Sequence, residues 1–190
     1  MKKAMGLLLG ILLSAVVALA QEQGDHSWQK DIDYLVRRIE IMHPDPYAFC
    51  PRETFLKLRD QLISKIPGMS EADIAISISE MLARLRDGHT RMGFENSDPA
   101  WLDRTFHLLP FIFFPFDDGV FLLAGLPEQR QWVGWQVVRI GGMPVEEAAR
   151  RIARLYSSDN PFAERKNLYF TLGLAEMLKQ VGAVAATDKI

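Results

Sequence analysis

The chain has 190 residues, 48% of them hydrophobic and 24% charged, and 22 basic against 24 acidic side chains leave a formal net charge of −2. That length makes one domain or two small ones. The near-balance of charge excludes the basic face that phosphate-backbone binding needs, so nucleic acid is not an expected partner.

The first twenty residues carry Lys2 and Lys3, an apolar stretch from Leu7 to Ala18 and the small-x-small triplet Ala18-Leu19-Ala20. This is the plan of a secretory signal peptide over residues 1–20. It predicts export to the periplasm or the extracellular space. An uncleaved anchor is the alternative, since roughly 17 apolar residues is the lower limit for spanning a bilayer. The polar Gln21-Glu22-Gln23-Gly24 after the triplet favours cleavage, and with it no stable membrane insertion of the mature chain. Cys50 is the one cysteine, which excludes an internal disulfide framework despite the exported context. It precedes Pro51 at a helix start, where thiol pKa values can fall. No histidine and amide constellation accompanies it, so it reads as a packed thiol.

Three helices are expected in the region 21–88. Trp28, Ile32, Leu35, Val36, Ile39 and Met42 recur at three- and four-residue steps from about Ser27, and Pro44 and Pro46 stop that helix. The second starts at Pro51 with Phe55, Leu58, Leu62 and Ile66 on one face, and ends at Pro67-Gly68. Ser70 caps the third, with Asp73 placed for a capping box, and its stripe is Ile74, Ile78, Met81, Leu82 and Leu85. Gly88 reads as the stop signal, a glycine where the chain turns left-handed.

Beyond Thr90 the pattern becomes β-rich. Leu108 to Phe116, broken by Pro110 and Pro115, predicts an edge or irregular strand. Asp117-Asp118-Gly119 turns the chain into a second strand, Val120 to Ala124, making a hairpin. Trp135 to Ile140 is a third strand and Gly141-Gly142 a tight turn. Pro144 opens a helix bearing Val145, Ala148, Ala149, Ile152 and Leu155, with Glu146 and Glu147 early and Arg150, Arg151 and Arg154 late, as the helix dipole favours. A last helix is expected over Asn167 to Gln180, ending near Gly182, then a tail over residues 183–190. The expected class is α+β: an N-terminal helical bundle, a small β-rich module over residues 89–182 and a closing C-terminal helix.

The chemistry-bearing stretch is Asp87-Gly88-His89-Thr90. A histidine on a glycine turn past a helix end is held by backbone yet free to face a cleft, where a general base sits. The same residues also read as a turn, with His89 bonding backbone, Asp87 a turn former and Thr90 the start of a strand. Metal binding fails on counting: Asp87 and His89 supply two ligands, and a zinc site takes three or four. No cofactor is expected, because the chain has neither a phosphate-cradling glycine-rich loop nor a dinucleotide fingerprint. His43 in Met42-His43-Pro44-Asp45-Pro46 reads as structural. Ser64, Ser70, Ser77, Ser79, Ser97, Ser157 and Ser158 lie in helices, caps or polar loops, none in a small-residue elbow such as a nucleophile occupies. The hairpin through Val138, Ile140, Gly141 and Gly142 reads either as a groove that receives an extended peptide by strand addition or as scaffold packing.

Taken together these motifs resemble the front part of the S41 peptidases, the tail-specific or C-terminal-processing and tricorn-like serine proteases. Carrying the resemblance are Trp28 and Asp31, His43-Pro44 with Tyr47, the helix end Leu85-Arg86-Asp87-Gly88-His89-Thr90, and Gly134-Trp135-Gln136-Val137-Val138-Arg139-Ile140-Gly141-Gly142-Met143-Pro144-Val145, which is similar to a segment of the family's PDZ-like module. It spans roughly Trp28 to Gly182. The resemblance implies His89 as general base by analogy with the tricorn-like branch. It also implies a nucleophilic serine on a catalytic αβ domain downstream of the region covered, and peptide or protein C-terminal segments as partners. The expected function is therefore the N-terminal, non-catalytic portion of an exported serine peptidase, inactive alone. The alternatives are a stand-alone module that binds peptides or apolar ligands, and a remnant without function.

Overall fold

The computed structural model describes residues 28–187. The expected signal peptide over residues 1–20 lies outside them. The described part is a mixed α+β structure with two small antiparallel sheets. No helix among the described residues is long and apolar enough to cross a membrane.

Helix α1 covers residues 28–42. Helix α2, Arg52–Lys65, begins after Pro51 as expected. Helix α3, Glu71–Ala83, forms the full capping box: Ser70 Oγ accepts from the Asp73 N–H, and the Asp73 carboxylate accepts from the Ser70 N–H. Ile32, Val36 and Ile39 of α1, Phe55 and Leu62 of α2 and Ile74, Ile78, Met81 and Leu82 of α3 close one apolar cluster. The opposite side of α3, at Ala72, Ala75 and Ile76, belongs to a second cluster. Being apolar on both sides, α3 is a wall shared by two cores.

The stop of α3 differs from expectation. Arg86 takes the left-handed turn, with φ 53°, whereas Gly88 is not among the residues of positive φ. Gly88 instead lies against Asp159. A β-carbon there would lie 3.2 Å from the carboxylate of Asp159.

After a short 3₁₀ turn at Phe94–Asn96 comes α4, Pro99–Thr105, which periodicity did not reveal. Its signal was local: Asp98 accepts from the Trp101 N–H and Pro99 occupies the first turn. Thr90 therefore begins no strand. Strands β1, Phe111–Phe116, and β2, Gly119–Gly125, form the expected hairpin, with β1 at an edge, where Pro115 is tolerated. The predicted third strand divides. Gln136–Val137 (β3) pairs with β2, while Arg139–Ile140 (β4) folds back on Met143–Pro144 (β5) around Gly141-Gly142. Helix α5, Val145–Ala153, follows and buries Val145, Ala148, Ala149 and Ile152.

The predicted last helix is two. Helix α6, Pro161–Thr171, is capped by Asn160, and α7, Ala175–Gln180, begins after Gly173-Leu174. That break is made by tertiary pairing: Leu109 N–H donates to the Gly173 carbonyl at 2.8 Å and Ala175 N–H to the His107 carbonyl at 2.9 Å. Backbone bonds to another segment replace the helical ones. The second cluster gathers Phe94, Leu102, Phe106, Phe113, Val120, Leu122, Ile140 and the apolar faces of α5 to α7. Ser79, 1% exposed, joins α3 to the end of α5 by donating to the Leu155 carbonyl at 2.7 Å.

Candidate functional site

The turn after α3 is organised by the carboxylate of Asp87. Its Oδ1 accepts from the His89 backbone N–H at 3.1 Å, an Asx-type turn that sets the direction of the following residue. Its Oδ2 accepts from the Thr90 hydroxyl at 2.5 Å and from His43 Nε2 at 3.1 Å. Burial alone raises the Asp87 pKa, but the bonds from Thr90, His89 N–H and His43 outweigh it and hold the carboxyl below its ordinary value.

His43 reaches Asp87 because α1 ends there. Its N–H closes the last turn onto the Ile39 carbonyl at 2.9 Å, and Pro44 prevents continuation. The Asp45 N–H donates to His43 Nδ1 at 3.1 Å. With Nδ1 accepting, the neutral ring carries its proton on Nε2 and donates it to Asp87. Both ring nitrogens are thus occupied, and His43 is an anchor rather than a base. Its partner is not legible in the sequence. Asp87 lies 44 residues away, and nothing local to Met42-His43-Pro44 announces the contact.

His89 is the opposite case. Its side chain is 94% exposed, and Nδ1 stands 3.6 Å from Asp87 Oδ1, within ion-pair range but beyond a hydrogen bond. The carboxylate that His43 and Thr90 immobilise is therefore beside an otherwise free imidazole. The Asp87 carboxylate is thus near one ring nitrogen of His89 without a hydrogen bond to it, and the ring faces solvent. A pocket of about 720 Å³ adjoins it, lined by Leu35, Ile39, Met42, Pro44 and Leu82 on its apolar side and by Arg38, His43, Asp87, His89, Thr90 and Arg91 on its polar side.

The turn is clamped from behind by the loop after α5. Ser157, 1% exposed, donates from Oγ to the Asp87 carbonyl at 2.8 Å, and Asp159 packs against Gly88. Other serines are likewise committed to structure. Ser64 donates to the Gln61 carbonyl, Ser97 to Gly93 and Ser79 to Leu155, while Ser70 is a helix cap. No hydroxyl among the described residues hydrogen-bonds the His89 ring. Cys50 is buried, and burial pushes its thiol pKa up, opposed in part by Arg84. That is the setting of an inert, packed thiol.

The four residues expected to frame a peptide groove do not share one open surface. Val138 is exposed and accepts from the Val145 N–H, whereas Ile140 is buried in the second cluster. Gly142 donates its N–H to the Ala183 carbonyl at 2.9 Å. Gly141 has φ 55° and abuts Ala183 and Val184 so closely that a β-carbon would collide with the Ala183 carbonyl oxygen. The chain's own segment after α7 covers that turn. His107 pairs through Nδ1 with the buried Glu176 at 2.6 Å, and Glu176 also accepts from its N–H, which ties α7 to the segment before β1.

Among the described residues no three His, Cys, Asp or Glu side chains come together to hold a metal ion. No family model, curated protein or solved structure matches this chain.

Proposed function

We propose that this chain is the base-bearing, N-terminal portion of an exported S41-type serine peptidase, with the hairpin and α5 as its PDZ-like part. The observation that carries the reading is the pairing of an immobilised Asp87 with an exposed His89. His43 and Thr90 use two donors to fix a carboxylate whose remaining neighbour is a free imidazole. In acyl transfer His89 would take the proton of a serine supplied from outside the described residues, with Asp87 stabilising the imidazolium that forms. Val138, Ile140, Gly141 and Gly142 then act as scaffold, and the chain alone is inactive.

The test uses a polypeptide extended past Ile190 in its own reading frame. It should label with a fluorophosphonate, and His89→Ala should cut peptide hydrolysis on the order of 10²–10⁴-fold, the usual contribution of a general base, with an unchanged melt. A continuation without a serine in a small-residue turn, or full activity in His89→Ala, sinks the reading.

A second reading, a binding module without catalysis, is favoured by the outer face of the hairpin. Phe114, Phe116 and Phe121 pack there in tilted and edge-to-face pairs, with ring centroids 4.7 and 5.7 Å apart, and Leu123 is exposed on the same strand as Phe121. Apolar surface of that kind marks interaction sites. Saturable binding of C-terminally apolar peptides that Phe116→Ser abolishes, with no hydrolysis by the extended chain, would select it.

A further inference from the structure

The pocket beside His89 has a floor that base catalysis does not use. Leu82 and Ile39 are buried beneath it, and Leu35 and Met42 wall it along the C-terminal half of α1. Met42 remains 67% exposed, an apolar side chain left facing solvent above an apolar floor. Its flexible thioether suits a surface that adapts to what fills it.

Apart from the exposed His89 ring, the charged groups at this pocket are committed, except for Arg38. Asp87 already accepts from His43, Thr90 and the His89 N–H, and Arg91 is paired with Glu95 at 2.6 Å. Arg38 is exposed, and its guanidinium reaches only Met42 Sδ, at 2.8 Å, among the described residues. A thioether is a weak acceptor, and a carboxylate in its place would make a charge-assisted bond. The apolar walls come from helices α1 and α3, whose backbone groups are bonded within the helices, and the polar rim comes from the loops that follow them. The depression is open to solvent, and its volume of about 720 Å³ gives room for one small molecule laid on the apolar floor.

We propose that this pocket binds a small amphipathic carboxylate, its apolar body on Leu35, Ile39, Met42 and Leu82 and its charged head on Arg38. Binding of this kind needs no nucleophile and stands apart from the peptidase reading. The test is calorimetric titration of the purified chain with decanoate below micelle formation, alongside decanol and acetate. Decanoate should bind saturably at one site, and acetate, lacking the apolar body, should not. Arg38→Gln should weaken decanoate roughly three- to tenfold while leaving decanol unchanged, as the loss of one charge-assisted contact requires. Leu35→Asp should remove binding of both, and the melts of both variants report that they are folded. Absence of saturable decanoate binding at millimolar concentration, or equal affinity in Arg38→Gln, overturns the proposal. So does binding of an apolar-ended peptide in the pocket where decanoate fails. None of these outcomes bears on hydrolysis by the extended chain, so the two readings fail separately.

Discussion

Asp87 gathers three donors onto one carboxylate, and its ionisation is coupled to folding. Its pKa is depressed in the folded state, so its contribution to stability is present above the unfolded carboxyl value of about 4 and is lost as pH falls through the lower folded value. Asp87→Asn should flatten the acid limb of a stability-against-pH curve recorded from pH 7 to 2. An unchanged limb would show that the three bonds do not favour the charged form. His43→Ala removes one of these donors at a half-buried site and should cost about 1–2 kcal/mol in urea unfolding, with Asp87 partly unsatisfied. The same scale separates two residues that the sequence did not distinguish correctly. Arg86 bears the left-handed conformation, so Arg86→Gly should relieve strain and be neutral or stabilising by up to about 1 kcal/mol. Gly88→Ala meets only the exposed, movable carboxylate of Asp159 and should change stability by less than about 0.5 kcal/mol. A large loss in Gly88→Ala would restore the left-handed role that the sequence suggested.

Among elements, the helices whose signals are local are those the sequence reveals. The proline stops of α1, Pro51 before α2 and the Ser70 capping box of α3 each act within four residues, and all appear where expected. Elements shaped by distant partners are those it misplaces. Trp135 to Ile140 reads as one strand, but β3 finds β2 while β4 finds β5, and the division at Val138 has no sequence mark. Asn167 to Gln180 reads as one helix because Gly173 is compatible with either state. The backbone bonds from Leu109 and Ala175 decide for a break. The β4–β5 turn supplies a measurable contrast. Gly141→Ala collides with backbone and should cost more than about 2 kcal/mol, whereas Gly142→Ala meets nothing nearer than 3.8 Å and should be tolerated. Equal melts for the two variants would show that the segment at Ala183 does not cover the turn.

Across the whole molecule, α3 joins the two apolar clusters. Ile78 packs into one, Ile76 into the other, and Ser79 bonds the end of α5. Far-UV circular dichroism and tryptophan fluorescence should therefore report one coincident unfolding transition. Ile76→Ala and Ile78→Ala should each lower it by about 2–5 kcal/mol without splitting it. Two separable transitions would mean that the clusters fold independently. The candidate site depends on this arrangement, because His43 comes from α1, Asp87 and His89 from the end of α3, and Ser157 from the loop after α5.

By itself the sequence determined the mixed class, the helical start with its caps and stops, the β1–β2 hairpin and the prominence of Asp87-Gly88-His89-Thr90. Each is written in contacts a few residues long, where periodicity, proline and short polar side chains act directly on the backbone. Only the tertiary structure decided that His43 anchors Asp87, that His89 stands free, that Arg86 and not Gly88 turns left-handed, and that Ala183 closes the turn at Gly141. Those outcomes depend on which surfaces meet across tens of residues, and a hydrogen bond spanning 44 positions leaves no periodic trace in the chain that makes it.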